Sequence, residues 1–385
     1  MKALGLLVIG LGGMAVAQNS PLNAAGWGRE SSAGDATSHG MGESGMARRS
    51  DRLYDLRMPA RSALDTLTSF SAQMTTGRST LDDGVTEGTV TGFQVPQISL
   101  SIPMRRWGAL GGAYWQRFSK SYEITSSSGE MAKGEGGSYE FVGSYSLRMP
   151  FLPWVAAGAS YHKLLGRDRQ MQTAVYDNSD LYYVAKANDT IETRRDGGYW
   201  GGSLWMTQPD WDLGVWTSLS GDVDVTVHHN NSSEFTTATS RDSVISTPFT
   251  IGTDGVWRIT PRQMLSADLR YTDWSSSIAK ATDAWFVGAG WEYQGHGDRF
   301  DSYWKRMAFR LGSYTEIGGA DDLSTAAATM GVGLPLGSMG TLDLAFQAGK
   351  IFNAHDQPKL EETFYRFYVS LTGANLWGNP SRRRH

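Results

Sequence analysis

Apolar and polar residues alternate along the stretch QMLSADLRYTDWS, which runs from Gln263 to Ser275. Its apolar face consists of Leu265, Ala267, Leu269 and Tyr271, and its polar face of Ser266, Asp268, Arg270 and Thr272. A period of two residues predicts a β-strand with two different faces. In a soluble sandwich the apolar face packs inward, whereas in a membrane barrel it contacts lipid and the polar face lines the interior.

The same alternation recurs over the segment 64–375 and predicts about fourteen strands, separated by Gly, Asp, Asn or Pro. The predicted strands are 66–76, 93–103, 108–124, 138–148, 154–164, 197–206, 211–228, 245–259, 264–274, 284–293, 302–315, 326–334, 341–350 and 363–373. Many have about ten residues, the length that a tilted strand needs to cross hydrocarbon. Two longer polar stretches, Arg167 to Gly197 and His228 to Asp242, are predicted to be external loops.

Tryptophans near the predicted strand ends favour a membrane barrel over a sandwich, because aromatic girdles form where strands leave lipid. They are Trp107, Trp154, Trp211, Trp257, Trp274, Trp285 and Trp304. A secreted β-sandwich or propeller is the alternative, but no internal repeat of propeller length is visible. The fold class predicted is all-β, a transmembrane antiparallel β-barrel of about 14 strands in the outer membrane of a Gram-negative cell.

The first residues, MKALGLLVIGLGGMAVAQNS, predict a signal peptide at 1–17. Lys2 supplies the cationic start, and Ala15-Val16-Ala17 is a small-residue cleavage pattern. The alternative, a retained membrane helix, fits less well because the apolar run is short and rich in glycine. The chain has no cysteine, so after export it depends on hydrogen bonding and packing alone.

Composition adds two constraints. The chain has 46 Gly, 14 Trp, 16 Tyr and 14 Phe, which suits many strands joined by tight turns. Its formal net charge is −4, so nothing argues for a nucleic-acid partner.

Three stretches resemble the FadL/TodX family of outer-membrane transporters for long-chain fatty acids and hydrocarbons. They are TPFTIGTDGVWRITPRQMLSADLRYTDWS at 247–275, MAFRLGSYTE with ATMGVGLPLGSMGTLDLAFQAGK from 307 to 350, and ETFYRFYVSLTGANLW at 362–377. The last resembles the closing strand of members from Bacteroidota. The resemblance covers most of the chain and is strongest from about 247 to 377, as a strand pattern rather than a catalytic signature.

The resemblance implies an N-terminal plug at 18–63 that folds into the lumen of a barrel at 64–375, followed by a basic tail at 376–385. Family members carry Asn-Pro-Ala near the end of the plug, where this chain has Met58-Pro59-Ala60. Met58 departs from that pattern and lacks the amide that could satisfy backbone groups. The predicted ligand-route residues are Met58, Pro59, Ala60, Phe70 and Met74. A flexible secreted tail is the alternative for this region.

The predicted function is passive uptake of hydrophobic small molecules, with lateral exit into lipid. The alternative is a barrel component of protein secretion, like the shuttles of the type IX machinery. The expected partners are an apolar ligand, outer-membrane lipid and the barrel assembly machinery, and the protein is expected to be a monomer.

No enzyme, cofactor or metal site is predicted. No Ser/His/Asp grouping has a recognisable nucleophile elbow, although an outer-membrane phospholipase or protease is left open. Weak calcium binding at Asp82-Asp83 or Asp321-Asp322 is also left open.

Overall fold

The computed structural model describes eleven stretches of the chain. They are residues 27–49, 54–82, 87–125, 131–178, 183–231, 239–277, 281–296, 300–319, 323–336, 340–353 and 361–375. The predicted signal peptide at 1–17 and the basic tail at 376–385 lie outside these residues, as do Asp83, Asp321 and Asp322.

Strands make up most of the described chain. They are β1 Arg29–Glu30, β2 Thr68–Asp82, β3 Glu87–Pro103, β4 Ala109–Ser119, β5 Tyr122–Thr125, β6 Met131–Arg148, β7 Val155–Asn178, β8 Tyr183–Thr207, β9 Trp211–Ser218, β10 Asp222–Asn231, β11 Thr239–Ser246, β12 Phe249–Thr260, β13 Gln263–Asp273, β14 Thr282–Tyr293, β15 Ala308–Gly319, β16 Leu323–Leu336, β17 Gly340–Asn353 and β18 Glu361–Asn375. One short helix, α1, spans Ala36–His39, and 3-10 turns span Pro59–Leu64, Arg105–Trp107 and Tyr303–Arg306.

The strands close into one antiparallel ring of fourteen wall positions. β4 and β5 both pair with β6 and together occupy one position. The pairs β9 with β10 and β11 with β12 likewise share one position each. The ring closes where β18, the last strand, pairs with β2, the first wall strand. Each of the fourteen predicted strands falls on one wall position, and the predicted fold class is confirmed.

Polarity is inverted relative to a soluble protein. On β13, Leu265 and Leu269 are 39% and 43% exposed on the outer face, whereas Asp268 between them is 2% exposed. β17 repeats the pattern, with Asp343 and Gln347 buried. An apolar exterior around a polar interior is stable only when lipid surrounds it. The chain is therefore a transmembrane barrel of the outer-membrane class, as the alternation predicts.

The prediction of two external loops is wrong in part. The stretch Arg167 to Gly197 is mostly strand, because β7 and β8 continue as one long hairpin paired from Val155 to Asn178. The stretch His228 to Asp242 likewise begins in β10 and ends in β11. The pattern of one apolar face did not reveal these extensions.

None of the helices in the described residues has the length and apolarity that a membrane-crossing helix needs.

Candidate transport site inside the barrel

The N-terminal segment, defined as residues 27–49 and 54–64, is held by the inner face of the wall. The amide N–H groups of Gly45 and Ala47 donate to the two carboxylate oxygens of Asp254 on β12, at 2.7 and 2.8 Å. The hydroxyls of Ser44 and Ser266 lie 2.6 Å apart. A buried carboxylate that accepts two hydrogen bonds from amide N–H groups recovers part of the free energy that its desolvation costs. Asp254 is therefore an anchor for the segment.

Further contacts reach strands on other sides of the ring. The amide of Ala36 donates to the hydroxyl of Ser370 on β18 at 2.8 Å, and the amide of Ala60 donates to Ser203 on β8 at 3.0 Å. Gly42 donates to Thr329 on β16 at 2.9 Å. Because these strands surround the segment, its described part is enclosed by the barrel.

Close backbone approach fixes one turn of the segment to the wall. Gly42 has a φ of 66°, and a Cβ there would lie 2.3 Å from the carbonyl oxygen of Ser313. The facing wall positions, Gly290 and Gly312, are also glycines that leave room for Met41. Only glycines on both sides allow this contact, because any side chain would displace the segment.

Charges between the segment and the wall are paired. Arg48 pairs with Glu292 on β14, which also accepts from Arg310 at 3.1 Å. Arg310 in turn donates to Asp343 on β17 at 2.7 Å. All four side chains are nearly buried. A chain of alternating charges is tolerated inside the barrel because each ion has a partner, and removing one member would leave another uncompensated.

Glu43 is a buried carboxyl group of the segment whose pKa is lowered by its neighbours. Burial by itself would raise the pKa of Glu43, but the interaction with His39, together with the charge of Arg270, lowers the pKa to about 2. The His39 Nδ1 atom lies 3.7 Å from a Glu43 carboxylate oxygen, and the His39 ring stacks on Tyr368 at 3.9 Å between centroids. Glu43 is therefore an anion at neutral pH.

The predicted route residues fall into two groups. Met58, Pro59 and Ala60 are buried together, and Met58 occupies space left by Gly214 on β9, where a Cβ would lie 2.0 Å from the Met58 methyl carbon. Phe70 lies apart from them on the outer face of β2 and is 46% exposed. Met74 shares that strand and is half-buried.

The structure explains this division through the alternation of β2. Ser69, Ser71 and Gln73 are buried and face the interior, which turns Phe70 outward. The same alternation was present in the sequence and would have placed Phe70 outside. The anchors Asp254 and Ser370 carried no such signal, because their partners are distant in sequence.

The wall is interrupted between β3 and β4. β4 pairs with β3 only from Ala109 to Trp115. Beyond that point Phe118 and Ser119 pair with Glu30 and Arg29 of β1, which belongs to the N-terminal segment. Among the described residues, β3 has no partner on this side before Gln97. The segment thus pairs with the part of the β4 edge that β3 does not pair with.

Both strands carry an irregularity where they separate. The pairing of β3 with β2 shifts between Gln73 and Thr75, which places an extra residue near Pro96. The pairing of β4 with β6 shifts around Arg117. Bulges bend a strand and end its pairing, and proline inside a sheet is found at such places because it has no N–H to donate.

A cavity of about 190 Å³ lies next to the segment inside the barrel. The N-terminal segment contributes Leu56 and Arg57 to its lining, and the wall contributes Trp115, Arg117 and Trp216. The lining thus combines aromatic surface with guanidinium groups. Such a cavity suits a molecule that is mostly apolar and has one polar end.

A hydrogen-bonded group of side chains lies at the same cavity, and all of its members except Glu140 line it. The hydroxyl of Ser160 lies 3.0 Å from His162 Nε2, and His162 Nδ1 lies 3.0 Å from a carboxylate oxygen of Glu140. Glu140 also accepts from Arg117 at 2.7 Å and from Tyr199 at 2.8 Å. The described residues, this group included, contain no set of three His, Cys, Asp or Glu side chains that could hold a metal ion.

Comparisons with known proteins agree on the fold. A Pseudomonas aeruginosa FadL homologue is 12% identical, with 91% of this chain and 99% of that chain covered and a TM-score of 0.68. The Pseudomonas putida toluene transporter TodX is 12% identical, with 90% and 99% covered and a TM-score of 0.60. The CymD monoaromatic hydrocarbon channel is 11% identical, with 89% and 97% covered and a TM-score of 0.57. These likenesses confirm the FadL/TodX resemblance at the level of fold.

A model of the family BamG matches residues 216–382, which is less than half of the chain. A search of curated proteins finds no match.

Proposed function

We propose that this protein takes up hydrophobic small molecules, such as fatty acids or hydrocarbons, by passive passage through the barrel and lateral exit into the membrane. The observation that carries the proposal is the interruption between β3 and β4 beside the enclosed N-terminal segment. A wall surrounded by lipid must satisfy its backbone groups, so an unpaired stretch is maintained only where something else covers it or passes through it.

The segment acts as a plug in this proposal. Met58, Pro59 and Ala60 hold it against the wall, and an apolar ligand rests in the cavity lined by Trp115 and Trp216. Phe70 and Met74 lie on β2, directly beside β3, and meet the ligand at the outer end of the route. The apolar ligand class is taken over from TodX and CymD, whose descriptions name toluene and monoaromatic hydrocarbons.

The test compares the full-length protein with a variant that lacks residues 18–63. The intact protein should conduct ions poorly, because the segment fills the lumen, and the truncated barrel should form a large water-filled pore. Uptake of a labelled fatty acid or alkylbenzene should fall in the truncated protein, because the surface that holds the ligand is gone. Planar-bilayer conductance and vesicle uptake measure the two effects.

High conductance of the intact protein would identify a general porin and overturn the proposal. Truncation without effect on either measurement would instead favour a flexible tail. Low conductance without uptake of any apolar probe would also contradict uptake.

The secretion alternative has no support in the fold or in the comparisons. The predicted partners, namely an apolar ligand, outer-membrane lipid and the barrel assembly machinery, remain proposals, as does the monomeric state. The BamG match points to the assembly machinery, and copurification of the tagged protein with other barrel-assembly components would test it.

A further inference from the structure

Ser160, His162 and Glu140 are arranged like the parts of a serine hydrolase. Ser160 and His162 are two residues apart on β7 and therefore point to the same side, into the lumen. Glu140 on β6 is a diagonal neighbour of His162, since His162 pairs with Val142. Both hydrogen bonds, from serine to imidazole and from imidazole to carboxylate, measure 3.0 Å, within the reach that nucleophilic catalysis needs.

The hydrogen-bond partners of Glu140 determine which ring nitrogen of His162 carries the proton. Glu140 accepts from Arg117 and Tyr199 and is fully buried, so it acts as an acceptor only. His162 Nδ1 must then carry a proton and donate it to Glu140. Nε2 of the neutral ring is left as the acceptor for the hydroxyl proton of Ser160, which is the arrangement of a general base. The ring is held in place by stacking on Tyr199 at 4.5 Å.

Space is present beside the serine, and a positively charged side chain lines the same cavity. A Cβ on Gly201 would lie 2.6 Å from the Ser160 hydroxyl and 3.3 Å from His162 Nε2, so the glycine leaves this position open. Arg57 lines the same cavity, and none of its three guanidinium nitrogens has a hydrogen-bond partner among the described residues. Its nearest carboxylate, Asp55, is 3.7 Å away. Guanidinium N–H groups that make no hydrogen bond in a buried cavity are available to stabilise a developing oxyanion.

We propose that Ser160, His162 and Glu140 form a site that hydrolyses carboxylic esters entering the lumen. The Ser160 oxygen attacks the ester carbonyl carbon while its proton moves to His162 Nε2, and Arg57 donates to the carbonyl oxygen. The C–O bond then breaks, and the alcohol leaves with the proton from His162. Water, deprotonated by the same nitrogen, cleaves the acyl-serine, so the acid is released and the serine regains its proton.

The test uses purified full-length protein in detergent, so its result does not depend on transport. Diisopropyl fluorophosphate should form an adduct on Ser160, located by peptide mass spectrometry, and the protein should hydrolyse p-nitrophenyl acetate. Ser160→Ala should lose both reactions, and His162→Gln should lower hydrolysis by about 10²–10⁴-fold. The matched control is Ser146→Ala, which removes another buried hydroxyl, one that bonds the Ala109 carbonyl instead of a histidine.

A second variant tests the nucleophile position even if Ser160→Ala fails to fold. The chain has no cysteine, so Ser160→Cys places a single thiol at the nucleophile position, where iodoacetamide should label it in a His162-dependent manner. Barrel formation is checked for every variant by heat-modifiable gel migration. Absence of a Ser160 adduct in the folded protein, or equal hydrolysis by the wild type and Ser160→Ala, would show that the three side chains only line the lumen, and would overturn the proposal.

Discussion

Two sides of the barrel are built differently. On the closed side, from β12 to β18, neighbouring strands pair almost residue for residue, as in the fourteen continuous pairs of β16 with β17. On the interrupted side, β3 and β4 share only seven pairs before they separate. The strands on the two sides are of similar length. The difference lies in β1, which replaces β3 as the partner of β4.

The interruption involves the N-terminal segment as much as the wall. On the closed side the segment contacts side chains and leaves the ladder intact, as at Asp254. On the interrupted side it contributes backbone to the ladder itself. There β1 supplies β4 with backbone pairing that β3 does not provide.

The largest effect is expected where the segment is seated. Met58→Ala empties the space opposite Gly214 and should weaken docking of the segment by about 2–5 kcal/mol. Protection of the segment from hydrogen exchange and from added protease measures the loss. Met58→Leu is the matched control, because a swap of similar volume costs less than about 1.5 kcal/mol. Equal protection in the two variants would mean that Met58 does not seat the segment.

The closed side should be sensitive to polarity on its outer face. Leu269→Arg should cost about 2–4 kcal/mol if the residue lies near mid-membrane, measured as the free energy of unfolding in lipid. Asp268→Asn, one residue away on the inner face, should be mild because it keeps the size of the side chain. Equal costs for both substitutions would contradict the assignment of inside and outside.

The wall was predictable because its signal is local. Period-two alternation on β13 or β17 is written in adjacent residues, and lipid outside with polar groups inside imposes it on every spanning strand. The extensions of β7 and β8 were missed because the exposed positions of β7 change from Tyr161 and Leu165 to Arg167 and Arg169, which ends the apolar face. Once the strands leave lipid, nothing requires an apolar face.

The interior was less predictable, because its contacts join distant residues. Ser160 and His162 are close in sequence, but only the register of β6 and β7 brings Glu140 to the imidazole. The pairing of β1 with β4 likewise joins positions about ninety residues apart through two residues of strand. The family resemblance predicts a plug from this part of the chain, whereas the contacts of the segment with the wall required the structure.

A smaller effect should appear where β1 meets β4. Gly28 has a φ of 87°, and a Cβ there would lie 2.3 Å from the Ser119 carbonyl oxygen. Gly28→Val adds about 1–2 kcal/mol of backbone strain as well as this clash, so β1 should leave β4. Uptake of a labelled fatty acid should then fall several-fold as β3 and β4 rejoin. Gly143→Val is the control, because nothing lies within 4 Å of a Cβ at Gly143. Unchanged uptake in the Gly28 variant would show that transport does not depend on the interruption between β3 and β4.

The smallest effect is a pH dependence of the segment. The pKa of Glu43 is about 2 in the folded protein, below its value in an unfolded chain, because His39 and Arg270 outweigh the effect of burial. A carboxyl group with a lowered pKa stabilises the fold above its unfolded pKa of about 4.3, and this contribution is lost as the pH falls toward 2.

Protease protection of the segment should therefore be constant from neutral pH to about pH 5 and decline below it. Glu43→Gln cannot ionise, so it should be less protected at neutral pH and show a flatter profile. The isosteric amide leaves Asp254, Met58 and β1 in place, which restricts the difference between the two profiles to one carboxyl group. Parallel profiles would mean that Glu43 does not hold the segment. The segment would then be held by the Asp254 hydrogen bonds on the closed side and by the β1 pairing on the interrupted side.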